Sequence, residues 1–287
     1  MKENNDQSIS LNKFISSTGI CSRREADQWI KDGRVQLNGA VAKLGNRVEE
    51  DDEVLLDGKP LLEKPEQIYI AFNKPIGIVC TTDKKERKNI VDFIGHPERL
   101  FPIGRLDKAS QGLILLTNDG DIVNKILRAG NKNEKEYIVR VRQRLTPEFI
   151  QEMSKGVPIL DTVTKRCKVQ YINDYTFRII LIQGLNRQIR RMCEHFDYEV
   201  ATLKRVRVMN IKLGDLKVGE WKELRKRDVD YIQKVLTDAS GEADDKIKIK
   251  RKIKTQAKRN VPRNTRNNKG KKSGGNYFKD RSKRRKK

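Results

Sequence analysis

Apolar positions in the first sixty residues follow a helical spacing, then change to a strand-like one. In "SLNKFISSTGICSRREADQWIKDG", Leu11, Phe14 and Ile15 stand at i, i+3 and i+4, which predicts a short helix. Ser22, with Glu25 three residues later, makes a capping-box pattern for a second helix. Ala26, Trp29 and Ile30 form its apolar stripe, and Gly33 ends it. Short strand-like pieces follow in "VQLNGAVAK" and "VEEDDEVLLDGKPL", with Asn38-Gly39 as a two-residue hairpin signal. Two helices and a small sheet make a compact module over residues 8–67, which ends in the linker "EKPEQ".

From residue 68 to residue 236 the pattern is richer in β-branched and apolar runs. "IYIAFNKP", "GLILLT", "KEYIVRV", "CKVQYI", "TFRIILI" and "VRVMNIKL" read as strands. "DIVNKILRA", "TPEFIQEMSKG", "NRQIRRMCEHF" and "RDVDYIQKVL" read as helices between them. Strands outnumber helices and are often adjacent. This points to an α+β fold with a mixed, mainly antiparallel sheet, and less to a doubly wound parallel one.

Composition adds a third part. The formal net charge is +24 over 287 residues. Gly241 to Lys287 holds 20 Lys or Arg against 4 Asp or Glu, a net of +16, which leaves +8 for the preceding 240 residues. Residues 237–287 are too poor in apolar side chains to offset chain entropy, so a disordered basic tail that tracks phosphates is expected. The basic body and tail point to a polyanion, with nucleic acid ahead of an acidic membrane surface. No stretch of 18 apolar residues suggests a membrane span, and "MKENNDQSIS" has no signal-peptide core. Cys21, Cys80, Cys167 and Cys193 are scattered without a CxxC pair, as expected of thiols in a reducing cytoplasm. His96 and His195 are too few and too far apart to suggest a metal site. Neither GxxxxGK[ST] nor GxGxxG occurs, so no nucleotide cofactor is indicated.

The candidate chemistry centres on "GRLDKASQGLILLTNDGD". Asp107 stands between Arg105 and Lys108, on a loop just before an apolar strand that reads as buried on both faces. A loop fixed by a rigid core strand is a common place for function. The flanking cations favour the ionised carboxylate. A capped turn with an exposed ion pair accounts for the same segment. In "QGLNRQIRRMCEHF", Ile189, Met192, Cys193 and Phe196 form the buried stripe of a helix carrying Arg187, Arg190 and Arg191. One of these arginines can face inward to a carboxylate or phosphate. A solvated basic face serves equally well for Arg187 and Arg191. Lys74-Pro75 closes a strand in a rigid turn, and a plain structural loop explains it too. Tyr137 begins a strand and suits core packing at least as well as stacking on a base. In the first module Asn12, Lys13, Arg23, Arg24 and Lys43 cluster. Arg23 and Arg24 oppose the helix dipole in the first turn, a cost that a bound phosphate would offset.

Together these pieces carry a resemblance. "NKPIG", "PIGRLDKASQGLILLTNDGD", "KEY" and "GLNRQIRRM" occur in the order found in the RsuA/RluB/RluE/RluF family of bacterial rRNA pseudouridine synthases. The first module resembles the S4 RNA-binding domain that precedes the catalytic domain there, so the likeness runs from about Leu11 to about Leu236. "ILRAGNKNEKEY", "GVPILDTVTKRCKV" and "QGLNRQIRRMCEHFDYEV" are most similar to the RluF branch, which acts on 23S rRNA. Leu185 stands where other members more often carry an Arg. The resemblance implies that Asp107 is the catalytic carboxylate and that Arg190 pairs with it. It implies that Tyr137 stacks on the target base and that Arg105 fills the space left by a flipped nucleotide. Lys74, Asn186 and Arg187 are expected to contact substrate. Asn12, Lys13, Arg23, Arg24 and Lys43 are expected to bind RNA.

Pseudouridine formation breaks a glycosidic bond, turns the uracil and joins it through carbon, so it calls for no cofactor or metal. A carboxylate can attack C1′ or remove the C2′ proton, and the residues fit either route. The expected partner is 23S rRNA, with tRNA as a second possible substrate, for a monomer that does not bind membranes. Two other classes fit parts of the pattern. A non-enzymatic ribosome-assembly factor would use only the basic module and tail, and a uracil glycosylase would release free base.

Overall fold

The computed structural model describes residues 8–61, 66–120, 122–123, 126 and 133–235. The expected basic tail, Asp121 as a helix cap, most of "DIVNKILRA" and part of the "EKPEQ" linker lie outside the described residues.

The N-terminal module forms as its pattern dictates. Helices Leu11–Ser17 and Arg23–Lys31 pack together. The Glu25 amide donates to Ser22 Oγ at 3.1 Å, while the Ser22 amide donates to the Glu25 carboxylate at 2.7 Å, completing the capping box. Strands Val35–Leu37 and Ala40–Val41 pair through Leu37 and Ala40. Asn38 and Gly39 turn between them with φ of 51° and 78°, the left-handed pair a two-residue hairpin needs. Val54–Leu56 and Lys59–Pro60 complete a four-stranded sheet. Leu11, Ile15, Ala26, Ile30, Val35 and Val54 fill a core separate from the rest.

The remainder is built on a nine-stranded sheet. Its main order is Lys168–Asn173, Thr176–Leu181, Lys135–Val141, Val200–Val208, Gln111–Thr117, Tyr69–Lys74 and Trp221–Glu223. Phe101–Ile103 and Ile211–Lys212 pair at the side. Among the described residues, the strands of this sheet pair antiparallel except that Val200–Val208 runs parallel to Gln111–Thr117 at the centre. The mixed, mainly antiparallel sheet expected from the pattern is therefore the sheet that forms. The helix Ile90–Ile94 and the strands Phe101–Ile103 and Trp221–Glu223 were not legible, because they are short and lack a sustained period. "VRVMNIKL" is the end of one strand and the start of another. Met209, at φ 52°, turns the chain between them.

Alternation along the strands sorts the side chains into two faces. Tyr69, Ala71, Leu113 and Leu115 look to the back, where Ile122, Ile126 and Ile232 cover them. Ile70, Phe72, Ile114 and Leu116 look to the front, against Ile78, Ile90, Leu100 and Leu106. The other half of the sheet has a front core of its own. Val139, Phe177, Ile179 and Leu203 pack there beneath helices Pro147–Lys155 and Gln188–Glu194. Tyr137 touches both front cores and so marks the seam between them.

Candidate active site

The loop 104–110 lies along this seam. Backbone contacts anchor it on the Leu106 side. The Leu106 amide donates to Cys80 Sγ at 3.4 Å, and the Gly77 amide donates to Lys108 O at 2.8 Å. The Ser110 amide closes a turn on Asp107 O at 3.0 Å. Leu106 and Ser110 are buried, while Asp107 between them is half-buried. A carboxylate that reaches open space from a loop pinned on both sides has little freedom to relax away from a substrate.

The second anchor comes from the other core. Ile189, Met192 and Cys193 bury one stripe of the helix Gln188–Glu194, as their spacing required, and this turns Arg190 inward to 9% exposure. Its terminal nitrogens donate to Ala109 O at 3.0 Å and to Val200 O at 3.3 Å. Burial pulls the guanidinium below its ordinary pKa, as does nearby Arg187, while the Asp107 charge opposes the shift. The expected direct pairing takes a different form: no ion pair within 4.0 Å joins Arg190 to Asp107. The guanidinium's two terminal nitrogens are spent on carbonyls, so Arg190 holds the backbone two residues beyond Asp107 and acts on the carboxylate through space.

Lys74 departs further from expectation. It is fully buried, and its ammonium donates to Pro75 O and Ile78 O, both at 2.8 Å. Burial lowers its pKa, which the Cys80 and Asp107 charges oppose and Arg205 reinforces. Lys74 thus ties off the turn after its own strand, and its charge is felt by that of Asp107.

The other candidates lie at or near the surface. Arg105, Asn186 and Arg187 are exposed. Arg187 precedes the helix in a left-handed conformation, φ 50° and ψ 33°. The Arg191 guanidinium donates to Asn186 O and Asn186 Oδ1 and so stiffens that turn. On the N-terminal module Arg24 and Lys43 are exposed. Arg23 donates to Asn12 Oδ1 at 3.4 Å, and Asn12 Nδ2 donates to Asp27 at 2.8 Å. Lys13 is half-buried on the preceding helix.

One row links the pieces. Lys74 is the register partner of Gly112, Gly112 of Arg205, and Arg205 of Tyr137. The row crosses the front face from one core to the other. Gly112 has φ +108°, and a Cβ there would lie 2.2 Å from Arg205 O. Its bare backbone is what allows the two halves to approach. Arg205 and Lys135 escaped sequence reasoning because each looks like one more cation in a basic chain. Only the strand register shows them turned inward.

A model of the RNA pseudouridylate synthase family matches residues 68–195, and one of the S4 domain matches residues 10–54. The chain is 55% identical over 247 residues to the dual-specificity RNA pseudouridine synthase RluF of Escherichia coli (strain K12), covering 85% of each protein. It is 33% identical over 228 residues to the ribosomal large subunit pseudouridine synthase B of Bacillus subtilis (strain 168), covering 76% of this chain and 93% of that one. A crystal structure of a pseudouridylate synthase superposes with a TM-score of 0.58 at 27% identity, covering 78% of this chain and all of the other. A full-length likeness at 55% identity, joined to the family match over the mixed sheet and the S4 match over the first module, places the chain: it belongs to the RNA pseudouridine synthase family.

Proposed function

We propose that this enzyme converts a specific uridine of 23S ribosomal RNA to pseudouridine, with Asp107 as the catalytic carboxylate. The observation that carries the reading is the loop 104–110, tied to one core through Cys80 and Gly77 and to the other through Arg190. A structural turn has no need of a buried arginine from a separate core. Tyr137, at the seam, offers its ring to the flipped base, and stacking with edge contacts repays the few kcal/mol that flipping costs. Arg105 occupies the gap left in the RNA, and Asn186 and Arg187 meet the backbone beside it. Residues 8–67 act as the RNA-binding module through Asn12, Lys13, Arg23, Arg24 and Lys43, and residues 68–236 as the catalytic domain. The enzyme works as a monomer in the cytoplasm. Among the described residues, no helix is long and apolar enough to cross a membrane.

The test is pseudouridine mapping on total RNA from cells lacking the protein. One 23S position should lose its modification and regain it on complementation. The relative RluF is described as dual-specific, which favours a second RNA substrate here. Mapping tRNA in the same cells tests that reading, and an unchanged tRNA pattern would reject it. An unchanged pattern in every RNA would reject the enzyme assignment on rRNA.

The tail should matter for affinity only. Phosphate contacts release counterions and are salt-sensitive. Truncation after Ala239 removes the net charge of +16. It should weaken RNA binding about 10-fold or more in moderate salt and flatten the salt slope. Filter binding across a salt titration reads both quantities.

A further inference from the structure

Of the row Lys74, Gly112, Arg205 and Tyr137, Arg205 alone has no role so far. It is 3% exposed. Its Nε donates to Leu113 O at 2.7 Å, which fixes the guanidinium over the parallel pair. Its two terminal nitrogens have no hydrogen-bond partner among the described residues, and no carboxylate lies within 4.0 Å. Two lysines, Lys74 and Lys135, feel its charge. Burial and then Arg205 lower the Lys135 pKa, and Arg205 adds to the lowering at Lys74. Across the strand pair Arg205 stands in register with Tyr137. A buried cation with cationic neighbours and unused donors is costly, and such an arrangement suits a site where negative charge appears.

The proposed reaction creates that charge. When the C1′–N1 bond breaks, its electron pair leaves with the uracil and spreads over N1 and the two carbonyl oxygens. C5 then bonds to C1′, its proton is lost to solvent, and N1 takes one up. We propose that Arg205 donates its terminal N–H groups to a carbonyl oxygen of the departing uracil, next to Tyr137, and stabilises the ring while it is anionic. The inference rests on the uridine isomerisation proposed above. Tyr137 then holds the face of the base and Arg205 its edge, so the ring can turn without leaving the site.

The discriminating probe is the leaving group. Fluorine at C5 withdraws electrons and makes the uracil anion more stable without help. Full-length wild type, Arg205→Met and Arg205→Lys are compared on one stem-loop RNA carrying uridine or 5-fluorouridine at the target. Only the cleavage step is read, as single-turnover loss of the target nucleoside. Arg205→Met should slow the uridine RNA by about 100-fold and the fluorinated RNA by about 10-fold or less, with RNA affinity unchanged. Arg205→Lys should show the same ordering with smaller losses, and it carries the test if the Met variant does not fold. Equal slowing on both RNAs, or no slowing, would overturn the proposal. Failure of wild type to consume the uridine RNA would instead sink the underlying reading of the function.

Discussion

Asp107→Asn is expected to lower pseudouridine formation by about 10³-fold or more, with folding and RNA binding unchanged. The expectation of an intact fold comes from how the loop is held. Every hydrogen bond that pins it uses backbone or a different side chain: Leu106 N, Asp107 O, Lys108 O and Ala109 O. Among the described residues the Asp107 carboxylate makes no hydrogen bond or ion pair of its own. Asparagine has the same shape and removes only the charge and the nucleophilic or basic oxygen. Circular dichroism and a gel shift would document the unchanged fold and affinity, and nucleoside analysis of the reacted RNA would report the rate. Substantial remaining activity would remove Asp107 from the chemistry under either route, attack on C1′ or proton removal at C2′.

Gly112→Ala should cost about 3 kcal/mol or more of stability, among the larger effects a single methyl can have. The added carbon would sit 2.2 Å from Arg205 O and 2.7 Å from Arg205 N. Both are backbone atoms of the neighbouring strand and cannot swing aside. The φ of +108° adds strain for any side chain. For a chain of this size that loss corresponds to a fall of roughly 6–12 °C in Tm. Gly120→Ala is the control, since nothing lies within 4 Å of a Cβ there. It should stay within about 0.5 kcal/mol of wild type. Thermal melts of the two variants side by side give the answer. If they melt together, the parallel pair is more compliant than its geometry indicates.

Much of this arrangement could be read from residues, for reasons that differ by position. The capping box at Ser22 and Glu25 and the Asn38-Gly39 hairpin are local, and local chemistry dictates them. The inward turn of Arg190 followed from the stripe of Ile189, Met192 and Cys193. What could not be read depends on contacts distant in sequence. Nothing near Lys74 says that its ammonium will cap the carbonyls of Pro75 and Ile78 rather than meet RNA. Nothing near Arg190 says that it will choose Ala109 O over the carboxylate of Asp107. Arg205 is the clearest case, because only its pairing with Gly112 and Tyr137 reveals where it stands.

The single parallel pair also sets a timetable. Gly112 and Arg205 meet across 92 residues of intervening chain, and such contacts form late because the loop between them must first be closed. A ribosome making this protein exposes Asp107 long before the strand Val200–Val208 has emerged to complete the seam. Through that interval the seam stays incomplete, although the N-terminal module, with a core of its own, is already present. The seam around Asp107 is completed only by the closing of this one strand pair.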